Sequence, residues 1–383
     1  MRALVLPLLA CLLQDPSPAP ESAYARWSHG PSRDPGYFPI AVWLQDPSLA
    51  PAYEKIGINL YVGLWKGPTR SQLDTLRAAG MPVICAQNEL ALAYPHAEVI
   101  RGWLHRDEPD NAQPKPGGGY GPPVTPKRVQ ELYRGFRQKD ATRPVFLNLG
   151  QGVANDRWIG RGVRTGHLED YPAYVRGADI VSFDIYPVAS SRPEVHGKLE
   201  LVARGVARLV DWTKGRKIVW NCIECTRIKS ESKPTPAQVR AEVWMSLIHG
   251  SKGILYFVHE WVPKFNAHAL LDDPVMRKAV AAINARIHSL ARVLNSPNLT
   301  KGIRVRSTKR KVPIAWMAKK LEGSIYLFCV SMRPAKTRAR FRISGLPKHA
   351  IAEVLDEDRK IEVKSGKFED DFEGYDVRLY RIE

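Results

Sequence analysis

Hydrophobic residues in the first three quarters of the chain form short runs that alternate with amphipathic stretches. From residue 38 onward, each run is rich in β-branched and aromatic residues and is followed by turn residues and a helical stretch. The runs are Phe38–Leu44, Ile58–Leu64, Met81–Ala86, Val99–Leu104, Pro144–Leu149, Ile180–Ile185, Lys217–Ile223 and Gly253–Val258. Near-continuous apolar runs of this length are typical of strands that are buried on both faces of a parallel sheet.

The stretches between the runs carry signals of helix ends. Thr69 precedes a helix that stops at Gly80, and Thr235-Pro236-Ala237-Gln238 is a capping box with proline at the first helical position. Strand–helix alternation repeated eight times predicts a (β/α)8 TIM barrel, an α/β fold, over residues 36–295. The alternative, a doubly wound open sheet, would require a glycine-rich phosphate loop after an early strand, and the sequence has none.

The pattern changes after Leu294 to short, partly alternating runs separated by turn residues. These runs are Ile314–Ala318, Ser324–Val330, Thr337–Ile343, Ala352–Leu355, Lys360–Val363 and Val377–Arg381. Alternation with a period of two is typical of half-buried strands in antiparallel sheets. We therefore expect a small, sandwich-like all-β domain over residues 300–383.

The N-terminus differs from the rest of the chain. The short basic start Met1-Arg2 is followed by the apolar run Ala3–Leu13 and a Pro/Ser-rich stretch. This order predicts a secretory signal and linker at residues 1–22, and hence a secreted or periplasmic protein. Leu8-Leu9-Ala10-Cys11 also resembles a bacterial lipobox, so a lipid anchor to the cell envelope at Cys11 stays open. We find no other segment that is long and apolar enough to cross a bilayer.

Composition narrows the classes of function. The formal net charge is +18, but the sequence has no nucleic-acid-binding motif, so we expect no nucleic-acid partner; such a role would require Lys and Arg to cluster on one face. The charge leaves open an anionic carbohydrate partner or a general basic bias. The cysteines beyond the leader are scattered, and we interpret them as small core residues. They are Cys85, Cys222, Cys225 and Cys329.

Residues just past the strands of a (β/α)8 barrel face its active site. Carboxylates, amides and large aromatic side chains occupy these positions. They are Gln45, Asp46, Trp65, Asn88, Glu89, Asp107, Glu108, Asn148, Asp184, Tyr186, Glu224, His259, Glu260 and Trp261. Glycoside hydrolysis uses two carboxyl groups that flank the scissile bond. It also profits from amides that bind hydroxyls and from flat aromatic surfaces against the sugar. The residues at the mouth of the predicted barrel therefore favour glycoside hydrolysis.

A metal site is a weaker interpretation of the same positions. The sequence has no HExxH motif and no His-x-His after the first strand. An acidic triad of Glu89, Asp107 and Asp184 could hold Mg²⁺, but no lysine follows a strand to act as a base. We therefore expect neither a metal nor another cofactor.

The segment Gly102-Trp103-Leu104-His105-Arg106-Asp107-Glu108-Pro109 resembles the fourth-strand motif of the clan A retaining glycoside hydrolases. In that motif Asn-Glu-Pro carries the acid/base glutamate. The resemblance implies that Glu108 is the acid/base and that Glu224 is the nucleophile. It also implies that Tyr186 hydrogen-bonds the nucleophile and that Trp261 lies under the sugar. The chain departs from the clan at Asp107, as do several uncharacterised families with Asp-Glu-Pro, which puts any transfer of substrate preference in doubt.

The resulting hypothesis is a secreted hydrolase that degrades an oligo- or polysaccharide by a retaining double displacement. Glu108 would protonate the leaving oxygen while Glu224 attacks the anomeric carbon, and Glu260 is the rival nucleophile. The expected substrate-binding residues are Trp65, Asn88, Asp107, Asn148, Asp184, Tyr186, His259, Glu260 and Trp261. The alternative is a non-catalytic glycan-binding barrel in which one carboxylate is misplaced.

Overall fold

A computed structural model describes residues 22–383, so the predicted signal segment and Cys11 lie outside the described residues. The first sheet contains nine parallel segments, and every one of the eight predicted runs contributes to it. The segments are β1 (Ile40–Trp43), β2 (Leu60–Val62), β3 (Val83–Cys85), β4 (Ile100–Leu104), β5 (Val145–Leu149), β6 (Ile180–Phe183), β7 (Ile218–Val219), β8 (Asn221–Glu224) and β9 (Ile254–Phe257).

The seventh barrel strand is split at Trp220 into β7 and β8. Segment β7 pairs with β6, whereas β8 pairs with β9, so the order β7-β6-β5-β4-β3-β2-β1-β9-β8 closes on itself. The sheet is therefore a closed eight-stranded parallel barrel, and the predicted fold class is confirmed. Because the strands are parallel, their carboxyl ends meet at one mouth.

Helices follow the strands. They are α1 (Ala50–Glu54), α2 (Arg70–Ala78), α3 (Glu89–Leu92), α4 (Pro126–Lys139), α5 (Tyr171–Tyr174), α6 (Glu200–Thr213), α7 (Pro236–Ile248), α8 (Ala269–Asp272), α9 (Pro274–Ser289) and α10 (Ala291–Asn295). Helices α2 and α7 begin at the predicted caps. The side chains of Thr69 and Thr235 each accept a hydrogen bond from a backbone N–H of the first turn. In return, the side-chain oxygens of Gln72 and Gln238 accept from the backbone N–H groups of Thr69 and Thr235. These reciprocal bonds satisfy donors that a helix start otherwise leaves free.

The amino end of the barrel is covered by the segment that precedes β1. Tyr24 and Trp27 are buried in the same apolar cluster as Trp220. The indole of Trp220 donates to the hydroxyl of Tyr24 at 2.8 Å. Among the residues that the structure describes, no helix combines the length and apolar character needed to span a bilayer.

The C-terminal part is a single eight-stranded antiparallel sheet. Its strands are β10 (Ile303–Ser307), β11 (Ile314–Leu321), β12 (Ser324–Ser331), β13 (Thr337–Ile343), β14 (His349–Val354), β15 (Arg359–Lys364), β16 (Lys367–Phe372) and β17 (Val377–Ile382). The ring of Phe341 on β13 lies 5.4 Å from that of Tyr380 on β17, although three strands separate β13 from β17. The sheet therefore curls around its own core, as a sandwich-like domain does.

Helix α7 joins the barrel to this sheet. Its residues are buried on nearly all sides, because one face covers the barrel and the other meets β12 and β17. Trp244 packs against Phe328 with ring centroids 5.1 Å apart, and Arg240 donates to the carbonyl of Val377 at 2.9 Å. A helix that is enclosed in this way carries apolar residues all round, and Glu242 is buried among them.

Candidate active site

Glu108 lies on the turn that follows β4 at the mouth of the barrel. Its N–H donates to the carbonyl of Asn148 at 3.1 Å, which ties the turn to β5. Its φ of +41° is in the left-handed region, where a residue with a side chain is strained. Such strain persists where the surrounding structure holds a residue in place, and it is concentrated at functional sites.

Asn111 holds the carboxyl group of Glu108 from the next turn of the chain. Its Nδ2 donates to Oε2 of Glu108 at 2.8 Å. Its Oδ1 accepts from the indole N–H of Trp158 at 2.7 Å, which fixes the orientation of the amide. Asn111 is not among the predicted site residues, although its place three residues after Glu108, directly after the Asp-Glu-Pro-Asp run, is a signal in the sequence.

Asp184 at the end of β6 is the nearest carboxyl neighbour of Glu108. Burial raises the pKa of Glu108 well above its usual value, and the charge and hydrogen-bonding contact of Asp184 raise it further. Burial also raises the pKa of Asp184, to about 7. Oδ1 of Asp184 is buried and receives no hydrogen bond from an N–H or O–H group of residues 22–383. A proton on Glu108, shared with Asp184, satisfies this pair.

Asp107 adds a third carboxyl group beside this pair. It lies at the exposed rim of the mouth, where the surrounding protein atoms raise its pKa to about 6. Its Oδ1 accepts from Nδ2 of Asn148 at 3.1 Å. Oδ1 of Asn148 is buried without a hydrogen-bond partner in the described chain, so the amide has an acceptor to spare.

Glu224 ends β8, as the strand pattern implied, but its carboxyl group is enclosed and not directed to the mouth. The residue has 0% exposure. Oε1 accepts from the N–H of Val188 at 2.6 Å, and Oε2 accepts from the N–H of Ala189 at 2.7 Å. The groups whose charges raise the pKa of Glu108 are other carboxylates, and Glu224 is not one of them. The structure therefore corrects the assignment of Glu224 as an accessible nucleophile opposite Glu108.

A second buried acid, Glu242 of α7, lies against Glu224. Burial raises the pKa of Glu224 to about 7, and the pKa of Glu242 is raised well above its usual value by burial and by the Glu224 charge. Neither oxygen of Glu242 has an N–H or O–H partner within the described chain. A proton on Glu242 that is donated to Glu224 accounts for both groups. The sequence signal for Glu242 was an acidic residue on the apolar face of a core helix.

Tyr186 was expected to hydrogen-bond Glu224, and the structure corrects this contact too. The tyrosine side chain instead lies against Asp184 and Cys222. Its ring is 5.2 Å from that of Phe257. Tyr186 therefore belongs to the acidic cluster of Asp107, Glu108 and Asp184.

A cleft of about 700 Å³ opens at the mouth beside β1, β2 and β9, and we call it the aromatic cleft. It is lined by Leu44, Gln45, Asp46, Pro47, Trp65, Gln72, His259, Trp261, Phe265 and Ala267. The side chain of Trp65 is 69% exposed and that of Phe265 59%. Trp261 stacks on Phe257 at 5.8 Å. Exposed aromatic faces of this kind suit the C–H faces of sugars.

His259 contributes a polar group to the aromatic cleft. It is 6% exposed, and burial lowers its pKa, so the imidazole is neutral near pH 7. Its Nε2 has no hydrogen-bond partner among residues 22–383. A buried ring nitrogen without a partner is an acceptor or donor available to a ligand hydroxyl.

A second cleft of about 280 Å³ adjoins the acidic cluster, and we call it the cationic cleft. It is lined by Gln151, Trp158, Tyr186, Ala189, Ser190, Ser191, Arg192, Ile228 and Lys229. Lys229 lies over the ring of Trp261 at 5.5 Å, and Arg192 over that of Trp158 at 5.0 Å. Tyr186 lines this cleft and packs on Phe257, which stacks on Trp261, so the two clefts are neighbours across the mouth.

Two other predicted binding residues make contacts within the protein. Asn88 caps α3: its Oδ1 accepts from the N–H of Ala91 at 2.8 Å, and its Nδ2 donates to the carbonyl of Pro68 at 3.0 Å. Asn88 is therefore a structural residue, which corrects its assignment to the substrate. Glu260 lies on the rim in an ion pair with Arg227 at 3.6 Å.

The structure gives no support to the acidic metal triad. Within residues 22–383, no group of three or more His, Cys, Asp and Glu side chains is arranged to hold a metal ion. Glu89 lies in the first turn of α3, away from the carboxyl groups that act on Asp107 and Asp184. The described cysteines are buried and unbonded, in keeping with core positions.

The sequence matches no protein-family model and no curated protein. In fold, the chain is similar to an α-amylase of Geobacillus thermoleovorans that was solved with acarbose. The two share 10% identity with a TM-score of 0.51, over 92% of this chain and 99% of the amylase. It is also similar to a GH30 endoxylanase of Clostridium papyrosolvens, at 10% identity and a TM-score of 0.45, over 90% and 95% of the two chains. At such identity the likeness concerns the fold alone.

Proposed function

We propose that this protein is a glycoside hydrolase that cleaves O-glycosidic bonds of an oligo- or polysaccharide, with Glu108 as the proton donor. One observation carries the proposal: burial and the neighbouring Asp184 raise the pKa of the Glu108 carboxyl group well above its usual value, at a barrel mouth flanked by two clefts. The general acid of a glycosidase needs a raised pKa, because it must still hold the proton that it gives to the leaving oxygen. The aromatic cleft supplies the sugar-binding surface.

The neighbours of Glu108 suit a reaction in which positive charge develops on the sugar ring. Asn111 donates to Oε2, so the proton is carried by the other oxygen, Oε1, which shares it with Asp184 and would pass it to the leaving oxygen. Asp184 and Asp107 place negative charge beside the reacting centre as Glu108 gives up its proton. Preorganised charge of this kind stabilises the transition state more than the ground state.

The second carboxyl group in this proposal is Glu260. Asp184 is in contact with Glu108, which is closer than the roughly 5–5.5 Å between the two carboxyl groups of retaining enzymes. Glu224 is enclosed. Glu260 lies three residues after β9, the barrel strand opposite β4, and its side chain is 15% exposed. The anomer of the first product, read by NMR, reports whether Glu260 acts as nucleophile or as base to a water.

A non-catalytic glycan-binding barrel is the second candidate, and the burial of Glu224 favours it. In that case the aromatic cleft would hold a glycan, and Glu108 would only bind a hydroxyl. The similarity in fold to a barrel that was solved with acarbose supports a glycan as the ligand in both cases. Lys229, which has no ion pair within the described chain, would favour an anionic sugar in either case.

A panel of aryl glycosides and neutral and acidic polysaccharides tests this proposal. We expect hydrolysis by the wild type, and a loss on polysaccharides of about 100-fold or more for Glu108→Gln and for Glu260→Gln. Glu89→Gln, an exposed glutamate at the third strand end, is the matched control and should stay active. Binding without hydrolysis by the wild type would support the glycan-binding barrel instead.

We also propose that the chain is exported, on the strength of its N-terminal sequence. The charged start, the apolar run Ala3–Leu13 and the Pro/Ser-rich sequel support a cleaved signal, whereas Cys11 supports a lipid-anchored form. Mass spectrometry of the mature N-terminus distinguishes the two forms. An uncleaved N-terminus at Met1 would overturn both.

A further inference from the structure

The outer face of β10, β13 and β16 in the C-terminal sheet carries charged side chains at alternate positions. Half of this face is internally neutralised. Arg338 makes two hydrogen bonds to Asp371, at 2.7 and 2.9 Å, and Arg340 pairs with Glu369 at 2.9 Å. These pairs are cross-strand neighbours of β13 and β16, which is the arrangement expected of a solvated sheet face.

The other half of the face carries only cations at the equivalent positions. Arg304 on β10 is directly opposite Arg342 on β13, and Arg342 is directly opposite Lys367 on β16. All three are exposed, and none forms an ion pair within residues 22–383. Adjacent strands are about 4.8 Å apart, so the backbones of these three cationic residues lie within about 10 Å of one another. Like charges directly opposite each other are destabilising, so this row costs stability unless something binds it.

A cavity adjoins the cationic row, Arg304–Arg342–Lys367. It has a volume of about 420 Å³ and lies where the turn after β13 meets the turn between β15 and β16. Arg342 and Lys367 line it together with Lys348, and Ser344 and Ser365 add hydroxyl groups. Cations and hydroxyl donors around one concave site are complementary to an oxyanion.

Protection of the sheet edge does not explain the row. Charged residues on an edge strand prevent pairing with other chains, and β10 is the edge strand. Arg342 and Lys367, however, lie on β13 and β16, which are inside the sheet with a neighbour on each side. Their charges therefore need a different account.

We propose that the cationic row and its cavity bind an acidic polysaccharide, through its sulfate or carboxylate groups. The proposal is independent of the activity of the barrel. A row of charges along one direction fits a chain with repeated anionic groups better than a single small anion. The outward residues of β10, β13 and β16 include no aromatic side chain, because Phe341, Phe368 and Phe372 all face the core. Proteins that bind single-stranded nucleic acids use exposed aromatic platforms, so the face favours a polysaccharide.

Affinity electrophoresis of the full-length protein tests this. The gels contain dextran sulfate, polygalacturonate, neutral dextran or duplex DNA. The three anionic polymers are used at equal concentrations of negative charge. The variant Arg304→Ser/Arg342→Ser/Lys367→Ser removes the row. The control Lys127→Ser/Arg134→Ser/Lys278→Ser removes three exposed cations of α4 and α9 that also lack ion pairs in the described chain. The single substitution Arg342→Ser serves as a milder variant.

We expect the wild type and the control to be retarded by at least one acidic polysaccharide and not by dextran. The triple variant should bind roughly tenfold or more weakly, since each cation near an anionic surface adds measurably to affinity. The affinity of Arg342→Ser should fall between those of the wild type and the triple variant. The melting temperature of the triple variant should not be lower than that of the wild type. Equal losses in variant and control, no retardation of the wild type, or stronger binding to duplex DNA would each overturn the proposal.

Discussion

The Nδ2 atom of Asn111 lies 2.8 Å from Oε2 of Glu108 and donates a hydrogen bond to it. Trp158 in turn holds Asn111, at 2.7 Å, and lines the cationic cleft. The proposed acid is thus fixed from one side by an amide and from the other by Asp184. Such support determines whether a carboxyl group sits within reach of a leaving oxygen.

Asn111→Ala should lower kcat by about 10- to 100-fold with little change in KM. A hydrogen bond to a group that changes charge during the reaction is worth most in the transition state. The measurement is steady-state kinetics on whichever glycan the panel identifies. Asn298→Ala, an exposed asparagine before β10, is the control. An increase in KM at unchanged kcat would mean that Asn111 binds substrate and does not position Glu108.

Asp184→Asn should move the alkaline limb of the kcat/KM profile to lower pH. The negative charge of Asp184 raises the pKa of Glu108, and an amide in its place carries no charge. Glu108 would then lose its proton at a lower pH, by about one unit or more. A pH profile of the variant and wild type measures this shift. An alkaline limb that stays in place would show that Asp184 does not control the proton of Glu108.

Glu242→Gln should make stability less sensitive to alkaline pH. The folded pKa of Glu224 is raised to about 7 by burial, and that of Glu242 is raised as well. A raised carboxyl pKa means that the stability from this pair is complete at low pH and is lost as pH rises through about 7. The amide of glutamine can donate to Glu224 at any pH. Melting temperatures should fall in the wild type between about pH 5 and pH 9, and much less in the variant. Parallel curves would contradict the shared proton.

Asn88→Ala should destabilise the protein by about 1 kcal/mol and leave KM unchanged. The side chain of Asn88 caps α3 with its oxygen and binds Pro68 with its nitrogen, and loss of a cap typically has this effect. Urea unfolding and substrate kinetics measure the two quantities. A raised KM with unchanged stability would restore Asn88 to the substrate-binding set.

The barrel could be predicted from the sequence because its strands are buried on both faces. Such strands leave unbroken apolar runs, and all eight runs contain barrel strands in the structure. Strands β10 and β16 escaped prediction for the opposite reason. Their outward residues are charged, as in Ile303–Ser307 and Lys367–Phe372, so few apolar residues mark them.

The site was predictable to the level of strand ends and not beyond. Counting strands placed Glu224 at the end of the seventh strand, where β8 does end. The direction of its carboxyl group depends on the N–H groups of Val188 and Ala189 and on Glu242, which are far away in sequence. The position of Glu108 depends less on distant residues, because Pro109 and Asn111 follow it in the same turn.

The central claim is tested most directly by how the activity of Glu108→Gln depends on the acidity of the leaving group. The kcat/KM for hydrolysis of a series of aryl glycosides is measured for the wild type and the variant. The leaving groups range from strongly acidic phenols to weakly acidic ones. A phenol that leaves readily needs no proton, so the variant should approach the wild type there. Its deficit should grow to about 100-fold or more as the leaving group becomes more basic. An equal deficit for every leaving group would contradict Glu108 as the proton donor.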